Sequence, residues 1–145
     1  MRMLPKPEWA ALIPHADAMC LLDEVVDWDA VRLHARSASH ARRDNPLRAD
    51  GRLHAVNLCE YAAQAMAVHG ALLSRTVGVA IRPGRLAALR EVALHVERID
   101  DLPGKLQIRV ERLLGTGASL QYAFRVEHRG ALLAQGRAAV MLQSH

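Results

Sequence analysis

The sequence has 145 residues, of which 51% are hydrophobic, and it carries a formal net charge of +4 at pH 7. That length suits one domain with its own core, and no break in composition divides it, so we predict a single domain, residues 1–145. Only 3% of the residues are aromatic, too few for the stacking platforms of a single-stranded nucleic-acid binder, and no nucleic-acid-binding motif accompanies the positive charge.

The N-terminal third predicts a short helix and two strands. Residues 8–13 could form the helix, with Pro7 in its first turn. The apolar run 19–27 and the alternating residues 30–40 have the pattern of strands, the second half-buried. Residues 41–56 form a polar loop with turn signals at Asn45-Pro46 and Asp50-Gly51.

Residues 57–73 predict a long helix that is apolar on nearly every face, which is typical of a core helix. Its length and its polar residues Glu60, Gln64 and His69 make it a poor membrane span, and no membrane partner is expected. A carboxylate inside such a helix is costly unless it is paired. Glu60 is therefore either functional or part of a capping box with Asn57, and His69 is expected to be a satisfied core or interface histidine.

The second half of the chain alternates between apolar and polar residues over three stretches, residues 92–97, 106–111 and 120–127, and ends in a more continuously apolar run, residues 132–142, that could be buried on both faces. Turn signals at Pro103-Gly104, at residues 115–117 and at Arg129-Gly130 predict four strands in hairpin succession. One long helix and about six antiparallel strands can both bury their apolar faces only if the sheet curls around the helix. We therefore predict an α+β hotdog fold and, by analogy with that fold, at least a dimer.

Cysteine usage and charge suggest the compartment and a possible partner. Cys20 and Cys59 lie far apart, with no CxxC and no metal-ligand pattern, which predicts a reduced cytoplasmic protein without a metal. The first residues lack the long apolar region of a signal peptide. Four arginines precede the central helix, namely Arg42, Arg43, Arg48 and Arg52. They are either a solvated loop or a docking patch for an anionic partner.

Several segments together resemble a known enzyme family. They are Ile13-Pro14-His15, the stretch 21–25, residues 51–55 before the helix, and Glu60 with Gln64 on it. The chain resembles the 3-hydroxyacyl-acyl carrier protein dehydratases of fatty-acid synthesis, and more closely the dehydratase-like hotdog proteins of aryl polyene pigment clusters. The resemblance covers nearly the whole chain. It departs in one respect, because the Gly-His-Phe-Pro-Gly loop that holds the catalytic histidine of classical members is absent.

The resemblance implies dehydration of a 3-hydroxyacyl thioester to the trans-2-enoyl product. That reaction needs a base at C2, an acid for the departing hydroxyl, and donors on the thioester carbonyl. Glu60 is implied as the acid, and His40 most resembles the missing family histidine and is the candidate base, with His54 as second candidate.

Three further residues are expected to contact the substrate or its acid. Gln64 lies one turn from Glu60 and could hold it by a hydrogen bond, or it could be a buried amide bonded to backbone. Backbone N–H groups around Leu58 and Cys59, at the helix start, are the candidate donors to the carbonyl.

The resemblance also implies the partners. The substrate is expected on the phosphopantetheine of an acyl carrier protein, with no resident cofactor, and the arginine patch would meet that acidic carrier. A homo-oligomer, or a heterodimer with another hotdog dehydratase, is expected. Two alternatives stay open, namely a catalytically degenerate subunit of an active dehydratase and an acyl thioesterase with a helix carboxylate.

Overall fold

The computed structural model describes residues 3–13 and 19–143. Its single α-helix in that part, α1, spans Leu58–Thr76. The strands are β1 (Leu4–Pro5), β2 (Glu24–Trp28), β3 (Arg32–Ser37), β4 (Gly84–Leu94), β5 (Leu106–Gly115), β6 (Ser119–His128) and β7 (Ala131–Leu142). The other helical segments are short 3₁₀ turns. Two of them, Lys6–Glu8 and Ala10–Leu12, lie where the sequence predicted one short helix. His15 lies outside the described residues.

All seven strands form one antiparallel sheet in the order β1-β2-β3-β5-β6-β7-β4. Helix α1 packs against β3, β5 and β6, the centre of that sheet. The sheet therefore wraps around the helix, and the predicted hotdog fold is confirmed. In the described part of the chain, no helix is long and apolar enough to span a membrane.

Helix α1 begins one residue after the predicted start and continues three residues beyond the predicted end at residue 73. Most of its side chains are buried, as its apolar sequence requires. Its Leu58, Ala62, Ala65, Val68 and Leu72 belong to the hydrophobic core. The 3₁₀ turn Ala55–Asn57 leads directly into the helix.

Strand β4 corrects the sequence prediction of a strand at residues 92–97. It spans Gly84–Leu94, so it overlaps the predicted strand only at residues 92–94. Its register against β7 shifts twice, and Glu91 has a φ of +54°, so apolar and polar residues do not alternate along it. β4 is also an edge strand and mostly exposed, so burial imposes no two-residue period on it.

The predicted hairpin through Pro103-Gly104 is wrong. β4 pairs with β7, and β5 pairs with β3 and β6, so the segment between β4 and β5 crosses from the edge of the sheet to its centre. The other two hairpins are correct. At Arg129-Gly130 both residues have positive φ, +50° and +83°, as a two-residue hairpin turn requires.

Candidate active site

An apolar groove of about 890 Å³ lies between one face of α1 and the sheet. Small side chains of α1 line it, namely those of Ala63, Ala67 and Gly70. On the sheet side it is lined by residues of β4, β6 and β7 such as Leu86, Leu120 and Val140. The groove is thus long and apolar, which suits an extended acyl chain.

Glu60 is the only carboxylate among the described residues that line the groove, and it is partly exposed. It lies in the first turn of α1. The side chain of Asn57 makes no capping hydrogen bond and instead donates to the carbonyl of His54 at 3.2 Å. The capping-box alternative for Glu60 is therefore not realised through Asn57.

Gln64 is fully buried and binds backbone on both sides of its amide. Its Nε2 donates to the carbonyl of Met19 at 2.6 Å, and its Oε1 accepts from the amide of Leu21 at 2.9 Å. The alternative of a buried amide bonded to backbone thus describes the structure. Gln64 joins α1 to the segment before β2, and it does not line the groove as Glu60 does.

His40 is fully buried and lies just after β3. Its Nε2 donates to the carbonyl of Leu102 at 2.9 Å, while Nδ1 is buried without a hydrogen-bond partner in the described part of the chain. Burial lowers the pKa of His40, so the neutral form is favoured. The groove is lined by Glu60 and not by His40, so the predicted base and acid have different surroundings.

The other predicted substrate contacts lie around the start of α1. His54 is exposed and forms an isolated bridge with Arg98. Leu58 and Cys59 are buried, and burial raises the pKa of the Cys59 thiol. The amide of Leu58 already donates to the carbonyl of Ala55 in the preceding 3₁₀ turn.

The four arginines before the helix have different surroundings. Arg42 forms a two-bond ion pair with Asp44, at 3.0 and 2.8 Å. Arg48 donates to three backbone carbonyls of its own loop and therefore holds the loop together. Arg43 and Arg52 are exposed. Exposed positive charge remains at this surface, but part of the predicted patch stabilises the loop itself.

A buried hydrogen-bond network that the sequence did not indicate joins this loop to α1. The hydroxyl of Tyr61 lies 2.7 Å from Oγ of Ser39 and accepts from Nδ2 of Asn45 at 3.1 Å. Asn45 also donates to the carbonyl of Ser39, and Ser39 donates to the carbonyl of Leu21 at 2.7 Å. The network fixes the loop beside the first turn of α1, which carries Glu60.

Arg112 and Tyr122 are groove residues that the sequence analysis did not single out. Both lie on the central strands, with Tyr122 fully buried and bonded to Arg112 and His69. A signal was present, because Arg112 continues the inward phase of Leu106, Ile108 and Val110 on β5. His69 is a satisfied core histidine, as predicted.

Comparison with known proteins identifies the family. Residues 7–144 match the ApeP-like family model, which describes ApeP dehydratases. The chain belongs to the ApeP dehydratase family. The predicted resemblance to hotdog dehydratases of the aryl polyene type is thereby confirmed, and so is the prediction of a dehydratase, that is, a lyase.

Solved structures support the fold of this ApeP dehydratase family member. The dehydratase heterocomplex ApeI:P from Xenorhabdus doucetiae superposes with a TM-score of 0.84 at 23% identity, over 97% of this chain and 92% of that one. A putative thioesterase from Shewanella oneidensis superposes with a TM-score of 0.65 at 12% identity, over 96% and 94%. A hypothetical thioesterase with coenzyme A from Streptococcus pneumoniae gives 0.60 at 10%, over 83% and 85%. Comparison with curated proteins finds no match.

Proposed function

We propose that this dehydratase removes water from a 3-hydroxyacyl group that is carried as a thioester on an acyl carrier protein. The observation that carries the proposal is Glu60, the one carboxylate that lines a long apolar groove in the described part of this chain, which belongs to a dehydratase family. The acyl chain would lie along the groove and place its C2 and C3 atoms beside Glu60. No cofactor is required, because the phosphopantetheine of the carrier is part of the substrate.

The reaction breaks the C2–H and C3–O bonds and releases one water molecule. Glu60 is the proposed acid, which donates its proton to the departing hydroxyl. The double bond that forms between C2 and C3 takes the electron pair of the broken C2–H bond. Positioned N–H donors would stabilise the charge that develops on the thioester oxygen.

His40 stays the proposed base. A base must come within hydrogen-bond reach of the proton that it removes. Because His40 is enclosed in the isolated chain, this role requires that the loop after it open when substrate or a partner subunit binds. The lowered pKa of His40 supports the role, since a neutral imidazole can accept a proton.

A second hotdog subunit is the proposed protein partner, in addition to the carrier. β4 is an edge strand, and it exposes Leu86, Leu89, Val92 and Leu94. The three leucines pair with inward-facing residues of β7, so they form an apolar row on the helix side of the sheet. An exposed edge with such a row favours strand pairing with another subunit. The related ApeI:P structure is a heterocomplex, which supports a dehydratase-like partner.

The carrier protein would approach the exposed arginines Arg43 and Arg52 beside the start of α1. Complementary charge would increase the rate of this encounter, and the effect would weaken as salt is added. We place the reaction in the cytoplasm, in agreement with the buried, unpaired cysteines Cys20 and Cys59.

The test is incubation of the full-length chain with 3-hydroxyacyl-carrier protein, alone and with a partner dehydratase, followed by mass spectrometry. We expect loss of one water, and Glu60→Gln should reduce the rate by about 100-fold or more. Glu111→Gln, on the outer face of β5, is the matched control and should retain activity. His40→Gln tests the base and should also lower the rate.

Three results would contradict the proposal. Absence of product with every chain length and partner would exclude dehydration. Release of the free acid would indicate a thioesterase instead. Full activity of the mixed complex with Glu60→Gln would indicate a degenerate subunit that shapes the groove of an active partner, the alternative that the enclosed His40 favours.

A further inference from the structure

The groove has a second polar position, far from Glu60. Gly70 on α1 lies ten residues after Glu60, which is about 15 Å along a helix. A Cβ atom on Gly70 would lie 3.9 Å from Nη2 of Arg112, so the guanidinium borders the groove at this point. The Glu60 carboxylate and the Arg112 guanidinium thus border the same groove at positions about 15 Å apart along the axis of α1.

A chain of hydrogen bonds with a defined direction holds the Arg112 side chain. His69 Nε2 lies 2.8 Å from the carbonyl of Asp29 and must donate, because a carbonyl only accepts. His69 Nδ1 is then an acceptor, and the Tyr122 hydroxyl donates to it at 2.7 Å. The Tyr122 oxygen in turn accepts from Arg112 Nη2 at 3.1 Å and Nε at 3.3 Å.

This chain of hydrogen bonds, which we call the relay, runs from Asp29 through His69 and Tyr122 to Arg112. It determines where the charge of Arg112 is directed. His69 and Tyr122 are fully buried, and the guanidinium also contacts the Tyr122 ring, with Cζ 5.6 Å from the ring centroid. Burial and the nearby guanidinium keep the pKa of His69 low, in agreement with the neutral form that the relay needs. A buried, fully bonded relay leaves the guanidinium little freedom to rotate.

Arg112 retains unused donors that face the groove. Of the five N–H groups of an arginine, the relay uses two, and the others have no acceptor in the described part of the chain. Arg82 and Arg85 line the groove as well, so three arginines and one carboxylate, that of Glu60, border it in the described part of the chain. Guanidinium N–H groups that are partly removed from water are costly without an acceptor.

We propose that Arg112, held by Tyr122 and His69, binds an oxygen acceptor at the far end of the acyl chain. The inference rests on the proposed function, because it places the acyl chain along the groove with its reacting carbons at Glu60. The substrate class is then a 3-hydroxyacyl chain that ends in a hydroxyl, carbonyl or carboxylate oxygen. Chains that end in a methyl group are disfavoured, since they leave the donors of Arg112 without an acceptor.

The test is binding, measured by calorimetry on the full-length chain and its complex with a partner dehydratase. The probes are acyl-pantetheine amides of one chain length, near 15 Å when extended, that end in a carboxylate, a hydroxyl or a methyl group. We expect both oxygen-terminated probes to bind at least about tenfold more tightly than the methyl probe, which is about 1.4 kcal/mol. Arg112→Leu should remove this preference and leave the affinity for the methyl probe nearly unchanged.

Matched variants separate the subsite from an effect on folding. Arg109→Leu removes the same charge from the outward face of the same strand and should keep the preference. Tyr122→Phe keeps the ring and releases the guanidinium, so the preference should fall by less than in Arg112→Leu. Arg112→Lys keeps the charge, and it provides the comparison if Arg112→Leu does not fold.

Equal affinities for the methyl and oxygen-terminated probes would overturn the inference, and so would an equal loss for all probes in Arg112→Leu or Arg112→Lys. The proposed function would then stand if Glu60→Gln still abolished dehydration. Conversely, a chain that binds oxygen-terminated probes selectively but dehydrates no substrate would refute the function and retain the subsite.

Discussion

Removal of the hydroxyl oxygen from each of the two buried tyrosines should lower the free energy of unfolding by unequal amounts. Tyr61 and Tyr122 are both fully buried, and both make hydrogen bonds with two other side chains. Tyr→Phe is the same chemical change at both sites. The difference between the two variants therefore depends on what the surrounding groups lose.

At Tyr61 the neighbours keep other partners. Asn45 Nδ2 still donates to the carbonyl of Ser39 at 2.9 Å, and Ser39 Oγ still donates to the carbonyl of Leu21 at 2.7 Å. Each of these two neighbouring atoms keeps at least one partner, so Tyr61→Phe should cost about 0.5–1.5 kcal/mol, the net value of an ordinary hydrogen bond.

At Tyr122 one neighbour has no replacement. His69 Nδ1 is buried and loses the one donor that it has in the described part of the chain, because Nε2 stays bonded to the carbonyl of Asp29. Arg112 is partly exposed and can turn to water. A buried group without a partner costs about 1–3 kcal/mol. Tyr122→Phe should therefore lower the free energy of unfolding by about 1 kcal/mol more than Tyr61→Phe.

Urea unfolding at pH 7.5 measures both variants against the wild type, with equal m-values as the condition for comparison. The double variant Tyr122→Phe/His69→Leu should cost less than the sum of its single changes, because no unpaired nitrogen remains. The reasoning is refuted if Tyr61→Phe costs as much as Tyr122→Phe, or if the double variant is additive.

Three further predictions concern pH, the helix and the sheet edge. Burial lowers the pKa values of His40 and His69, so the unfolded chain binds more protons below about pH 6.5, and stability should fall between pH 7.5 and pH 5. His40→Gln/His69→Gln should flatten that slope in urea unfolding, and a rise in stability on acidification would contradict the assignment. Gly70→Ala should raise the free energy of unfolding by about 0.5–1 kcal/mol, since its Cβ would meet Arg112 at an ordinary 3.9 Å, and a loss in urea unfolding would contradict this. Leu89→Lys should weaken subunit association in sedimentation experiments with little loss of secondary structure, and unchanged association would place the interface elsewhere than β4.

The sequence by itself determined the elements whose signals are local. The central helix followed from the composition of residues 57–73, and β5 and β6 followed from alternation and turn residues, because a half-buried strand must alternate along its own chain. β7 followed from a continuous apolar run after the turn signal at Arg129-Gly130. The helix carboxylate Glu60 was singled out by its cost in an apolar segment and predicted as functional mainly from the family resemblance, and the structure places it in the groove.

Only the tertiary structure decided the features that depend on distant residues. β4 lacks alternation because it lies at an edge of the sheet. Its pairing with β7, which is its neighbour in the sheet but distant in sequence, has no local signal. The enclosure of His40 depends on Leu102, sixty-two residues away. The relay from Asp29 through His69 and Tyr122 to Arg112 joins four separate elements of the chain. Hydrogen bonds of this kind are set by how the sheet closes around the helix, so they become visible only in the folded protein.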